Sequence, residues 1–149
     1  MTDHVQQQIL DAAVSILLAA ATTAGTGVFL ERVDELMESD LPAIHVEGGD
    51  EDVSDESVTY PAIQRRTYSF TTSCIVSGAD YGRNARNLAK QVEQALLTST
   101  SPLNGKASVL QLDGSTVAKD GSGAVALFEV RQKWRATYYT QGGVPDAHI

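Results

Sequence analysis

The sequence predicts an α+β fold in which a single antiparallel-rich, mixed β-sheet carries two helices on one face. Three observations lead there. Gln64 to Val76 and Ala124 to Tyr139 alternate apolar and polar side chains with a period of two, as strands buried on one side do. Two further segments, one near the N-terminus and one after Asp80, repeat apolar residues at helical spacing. The outward faces of both long strands carry Arg, Lys, Ser and Thr, so both helices must share the other face. The order is α-β-β-β-α-β-β, read as one domain over residues 1–149.

Asp3 and Gln6 offer a capping-box start to the first helix, and Val5, Ile9, Ala12, Ala13, Ile16, Leu17 and Ala20 form its stripe. Leu10, Val14 and Leu18 widen that stripe, which predicts cover on more than one side. The helix ends at TTAGTG. Val28 to Leu30 reads as a short strand and Pro42 to Glu47 as a second. In the third, Tyr68, Phe70, Thr72, Cys74 and Val76 face inward, while Arg65, Thr67, Ser69, Thr71 and Ser73 face out. SGADYG breaks it, and Asp80 is placed to cap a second helix striped by Ala85, Leu88, Ala89, Val92, Ala95 and Leu96. Arg83, Arg86, Lys90 and Glu93 take that helix's solvent side. Ser108 to Leu112 begins a fourth strand and DGSTVAKDGSG reads as turn residues. In the last strand Phe128, Val130, Trp134, Ala136 and Tyr138 oppose Glu129, Arg131, Lys133 and Arg135. An irregular tail follows from about residue 141.

Composition narrows the function. The hydrophobic content of 42% and charged content of 20% are ordinary for a globular chain. The net charge is −8, and six carboxylates between Glu47 and Glu56 supply most of it, leaving 13 acidic residues (19 − 6) against 11 basic ones. The acidity therefore belongs to one stretch, EGGDEDVSDESVTY, read as an acidic interstrand loop over residues 47–60. Nothing resembles the clustered Lys and Arg with which proteins neutralise phosphate backbones. The single Cys74 has no intrachain partner, which suits a reducing compartment, and it lies on an inward strand face. The N-terminal run VSILLAAATTAG has no preceding positive region and is short for a bilayer span, so neither a signal peptide nor a membrane helix is expected.

No motif carries visible chemistry. Set against a calcium loop starting at Asp50, the acidic stretch puts Asp55 where the turn needs glycine and Pro61 where a bidentate glutamate closes the site. His4, His45 and His148 lack ligand spacing. Gly25-Thr26-Gly27 follows a helix instead of a strand, and Gly105-Lys106-Ala107-Ser108 lacks the remainder of a phosphate loop. Catalytic residues, metal sites and cofactors are thus not expected. Contact chemistry remains. Asp50, Glu51, Asp52, Asp55 and Glu56 form an acidic arm, while Arg65, Arg131, Lys133 and Arg135 form a basic sheet face. A basic face on one copy meeting the arm of the next is a heterologous contact that can close a ring. The plainer readings are a solvated loop and a wet sheet face whose charges protect its edges.

The segments ILDAAVSILLAA, VFLERVDEL with LPAIHVEGGDED, RRTYSFTTSCIV, NARNLAKQVEQAL and VALFEVRQKWRATYYT follow one another from Ile9 to Thr140. In that order they resemble the tail terminator, or tail completion, proteins of long-tailed bacteriophages, of the lambda minor tail type. The resemblance implies a structural virion protein: a homo-hexameric ring that caps the tail tube, ends its polymerisation and presents a surface for joining the head. Its implied partners are other copies of itself, the tube protein and the head–tail connector or neck protein. DNA would pass through the channel without specific binding, and no membrane is involved. The implied location is the tube end of the virion, after assembly in the host cytoplasm. A connector of related fold, or a small ligand-binding domain, is the alternative.

Overall fold

The computed structural model describes residues 1–120 and 126–149. Its elements are α1 (Val5–Ala19), β1 (Val28–Leu30), β2 (Ala43–Asp55), β3 (Ile63–Ser77), α2 (Tyr81–Leu97), β4 (Val109–Asp120) and β5 (Leu127–Gln141). They form a mixed five-stranded sheet in the order β1-β2-β3-β5-β4. Only the β1–β2 pair is parallel; β2–β3, β3–β5 and β4–β5 are antiparallel.

The two helices cover the face that the alternation assigns to the core. Phe70 and Trp134 stack across β3 and β5 with ring centroids 6.3 Å apart. Ile9, Leu17, Leu88, Val92 and Leu96 close over that face from the helices. Within this apolar layer runs one polar chain. The Trp134 indole N–H donates to Thr72 Oγ1 at 2.9 Å, and Thr72 donates to Gln132 Oε1 at 3.2 Å. Gln132 Nε2 then reaches the Ala89 carbonyl at 3.2 Å, so the chain ties β3, β5 and α2 together. Each member is buried, and each would lose its water partners without the next.

Several expectations change. The first helix is capped by His4, whose Nδ1 accepts the Gln6 N–H at 3.0 Å, and not by Asp3. Leu18 is exposed, so the widened stripe is not covered on that side. Asp80 precedes α2 in a left-handed conformation (φ 56°) and its side chain makes no cap bond.

The larger corrections concern the second and fourth strands. β2 continues through the acidic stretch to Asp55, which shortens the expected loop to a turn around residues 56–62. β4 continues through Asp113–Asp120, residues read from sequence as a turn. In both strands an extra residue opposes the neighbour: between Gly48 and Glu51 on β2, and between Leu112 and Gly114 on β4. Such bulges switch which residues face inward and so hide the strand from a period-two reading. The remaining turn residues Gly121–Gly123 and the first two residues of the expected last strand, Ala124 and Val125, lie outside the described residues.

Thr72→Val removes the central hydroxyl at nearly constant volume. It should cost about 1–3 kcal/mol by leaving the Trp134 N–H unsatisfied. Urea unfolding should show a lower midpoint with an unchanged slope; an unchanged midpoint would show that the polar chain contributes nothing.

Candidate functional site

The site begins at the β2 bulge. Gly48 pairs with Phe70 and Glu51 with Tyr68, so β2 advances three residues while β3 advances two. A Cβ on Gly48 would overlap the Tyr68 hydroxyl and crowd Leu10, so the close approach requires glycine there. The extra residue turns Glu51 onto the helix-covered face, where its side chain is only 7% exposed.

Glu51 there accepts from Arg66 Nη1 and from Gln6 Nε2, each at 2.9 Å, and from the Tyr138 hydroxyl. Arg66 also donates to Thr140 Oγ1 at 2.9 Å and to Gln64 Oε1 at 3.0 Å. Burial and the Glu51 carboxylate both push the Tyr138 phenol upward, so it remains the donor of its bond. Tyr68 shifts the same way, chiefly by burial. Above this cluster the tail binds α1: Val5 N–H donates to the Pro145 carbonyl at 3.0 Å, and His148 meets the Tyr138 ring edge-on. Glu51 therefore does not belong to an exposed arm. It is the internal anchor of the β2–β3 hairpin.

The other acidic residues point away from that anchor. Asp50, Asp52, Asp55 and Glu56 are exposed. Glu56 pairs with Arg65 at 3.4 Å, whereas Glu47, Asp50, Asp52 and Asp55 have no ion-pair partner among the described residues. Beyond Val46 the β1 side of β2 pairs with no strand among the described residues, so these charges border an open edge. At the tip, Ser57 Oγ accepts the Ile63 N–H at 2.9 Å and Glu56 N–H donates to the Ile63 carbonyl at 2.7 Å. That stitching holds Val58 and Tyr60 outward, with Tyr60 99% exposed.

The outer sheet face is less basic than its sequence implies. Arg131 pairs with Glu129 and Arg135 with Asp113, both at 3.2 Å, and Arg65 with Glu56. Of the four cations assigned to that face, only Lys133 lacks an acidic partner among the described residues. Surface pairs of this kind add little stability, about 0–1 kcal/mol each, but they neutralise the face. Arg83, Arg86 and Lys90 on α2 also lack ion-pair partners among the described residues.

Elsewhere, no group of three or more His, Cys, Asp or Glu side chains could hold a metal ion among the described residues. Cys74 is buried and its thiol is pushed up to about 12, chiefly by desolvation, which makes it a packing residue in the native fold. A cleft of about 630 Å³ beside α2 is lined by the neutral Asn84, Asn87 and Gln91, with Lys90 its only charge among the described residues. No helix among the described residues is long and apolar enough to cross a membrane.

No protein-family model matches the chain, and no curated protein is similar to it. Among solved structures it is similar to a chain from the virion of a native gene transfer agent particle, at 22% identity and a TM-score of 0.48, over 90% of this chain and 92% of that one.

Arg66→Met strands the Glu51 carboxylate and should destabilise the fold by about 3–5 kcal/mol. Adding Glu51→Leu should recover much of that loss, giving a coupling energy well above 0.5 kcal/mol in a double-mutant cycle. Additive effects would show that the two side chains do not act as a pair.

Proposed function

We propose that this chain is a structural virion protein that forms a ring on the end of a phage tail tube, ends the tube's growth and presents a joining surface to the head. The reading is carried by one observation: a projecting β2–β3 hairpin that is fixed internally yet leaves Asp50, Asp52 and Asp55 without an ion-pair partner among the described residues and its Val58 and Tyr60 tip exposed. Such an element is built for contact between subunits.

The sequence resemblance from Ile9 to Thr140 supplies the family, and the observed element order agrees with the layout on which that resemblance rests. Two physical features support a terminating role. Carboxylates along an open strand edge discourage further strands from adding to it, as a cap requires. A formal net charge of −8 also opposes retention of DNA passing through a channel. The chemistry of this role is geometric, made of contacts that close and contacts that stop. Asp50, Asp52, Asp55 and Glu56 are its proposed contact residues, with Lys133 and the paired Arg65, Arg131 and Arg135 on the sheet's outer face.

Particles assembled without this protein should carry tails of irregular length or tails that fail to join heads. A reconstruction of complete particles should place a ring of copies between tube and neck. Normal tails that join heads in its absence would refute the role, and copies on the portal side alone would assign a connector instead.

A further inference from the structure

The hairpin tip has a fitting receptor on the same molecule, and it lies where its own tip cannot reach. Between α2 and edge strand β4 runs a groove of about 370 Å³, with Leu112, Val117 and Val130 on its floor and Arg86 and Lys90 on its rim. Val117 is half exposed there, so apolar surface remains open. Among the described residues, Glu93 is the only acid lining the groove. The Arg86 guanidinium lies 5.3 Å from the Phe128 ring centroid, which fixes its position without using its charge on a carboxylate. Arg83 precedes it by one turn.

Donor and receptor are complementary in two respects. The tip offers Val58 and Tyr60 flanked by Asp55 and Glu56, while the groove offers an apolar floor flanked by Arg86 and Lys90. These α2 cations have no acidic partner in their own chain among the described residues, and neither does Asp55. Arg131 and Arg135 on the outer sheet face already have acidic partners, so that face is the weaker receptor.

The topology forbids self-insertion. The tip springs from Ile63, which pairs with Gln141, whereas Trp134 opposite Leu112 pairs with Phe70, and Val130 opposite Val117 pairs with Cys74. Seven to eleven residues of β3 at about 3.3 Å each separate those levels by about 23–36 Å. The tip also leaves the β2–β3 side of the sheet, and the groove lies on the β4 side. We infer that the tip of one copy docks in the α2–β4 groove of a second copy, with Tyr60 and Val58 on the floor and the hairpin carboxylates against Arg86 and Lys90. The contact joins two different surfaces, so it is heterologous and repeats from copy to copy. It rests on the ring-forming reading above and names the surfaces that would close the ring.

Two double variants test this by light scattering and sedimentation: Val58→Ser/Tyr60→Ser, which removes the tip, and Arg86→Glu/Lys90→Glu, which reverses the groove. Each alone should associate about tenfold or more weakly than the natural protein. Their equimolar mixture should form dimers and nothing larger, because each mixed pair keeps one intact tip and one intact groove. Dimer formation also reports that both variants are folded. Variants that assemble like the natural protein, or a mixture that stays monomeric, would overturn the docking, and natural rings that persist would leave the ring reading intact. Mixed dimers alongside open chains of the natural protein would keep the docking and refute the ring. A natural protein that is monomeric at every concentration overturns both.

Discussion

Glu51 sits beneath α1 with Arg66 on one oxygen and the Tyr138 hydroxyl on the other, and most of the molecule's outward behaviour follows from that placement. A buried carboxylate is costly unless its charge and lone pairs are met, and here an Arg, a Gln and a Tyr meet them. The pair's value lies in register. Slipping β2 by one residue would carry Glu51 to the solvent face and bring Asp50 or Asp52 inward, opposite no prepared partner. The bulge, Gly48 and the Arg66–Glu51 pair are thus one device that holds a highly charged segment in a single alignment.

That device separates two uses of acid. One carboxylate is spent inside, on position. The others are held outside, all but Glu56 on a strand whose backbone pairs along one edge and, beyond Val46, with no strand among the described residues along the other. A mobile acidic loop would lose conformational entropy on meeting a partner, and a pre-formed hairpin loses far less. The charge map sharpens the consequence. Three arginines on the outer sheet face have acids of their own chain, which leaves Lys133 there and Arg83, Arg86 and Lys90 on α2, on the opposite face of the sheet, without ion-pair partners among the described residues. Charge of this sort steers approach and sets orientation, and the apolar tip supplies area to bury.

The long strands and both helices were legible from the sequence because their burial is periodic. Phe128 through Tyr138 and the stripe from Ala85 to Leu96 keep their spacing, Tyr68 through Val76 departs from it at Ser73, an outward residue that is also buried, and the sheet with helices on one face follows from them. β2 and β4 were not legible beyond their first residues. Each contains a bulge, and the residues after it are acidic or turn-forming, so period and composition both pointed to loop. One clue to the anchor was present. Arg66 shares the inward parity of Tyr68 and Phe70, and a cation on an apolar strand face requires a carboxylate nearby. The outward pairing of Arg131 with Glu129 and of Arg135 with Asp113 depends on side-chain geometry and on the β4 bulge, and sequence spacing does not reveal it.

If the acidic segment is a rigid strand pinned from inside, native-state amide hydrogen exchange on the isolated protein will show it. The hydrogen-bonded amides of residues 51–55 and 63–67 should exchange slowly, with protection approaching that of the β3–β5 pair. Exchange across residues 51–55 at the rate of an unstructured peptide, while β3 and β5 stay protected, would mean that the segment is a loose loop with no internal anchor.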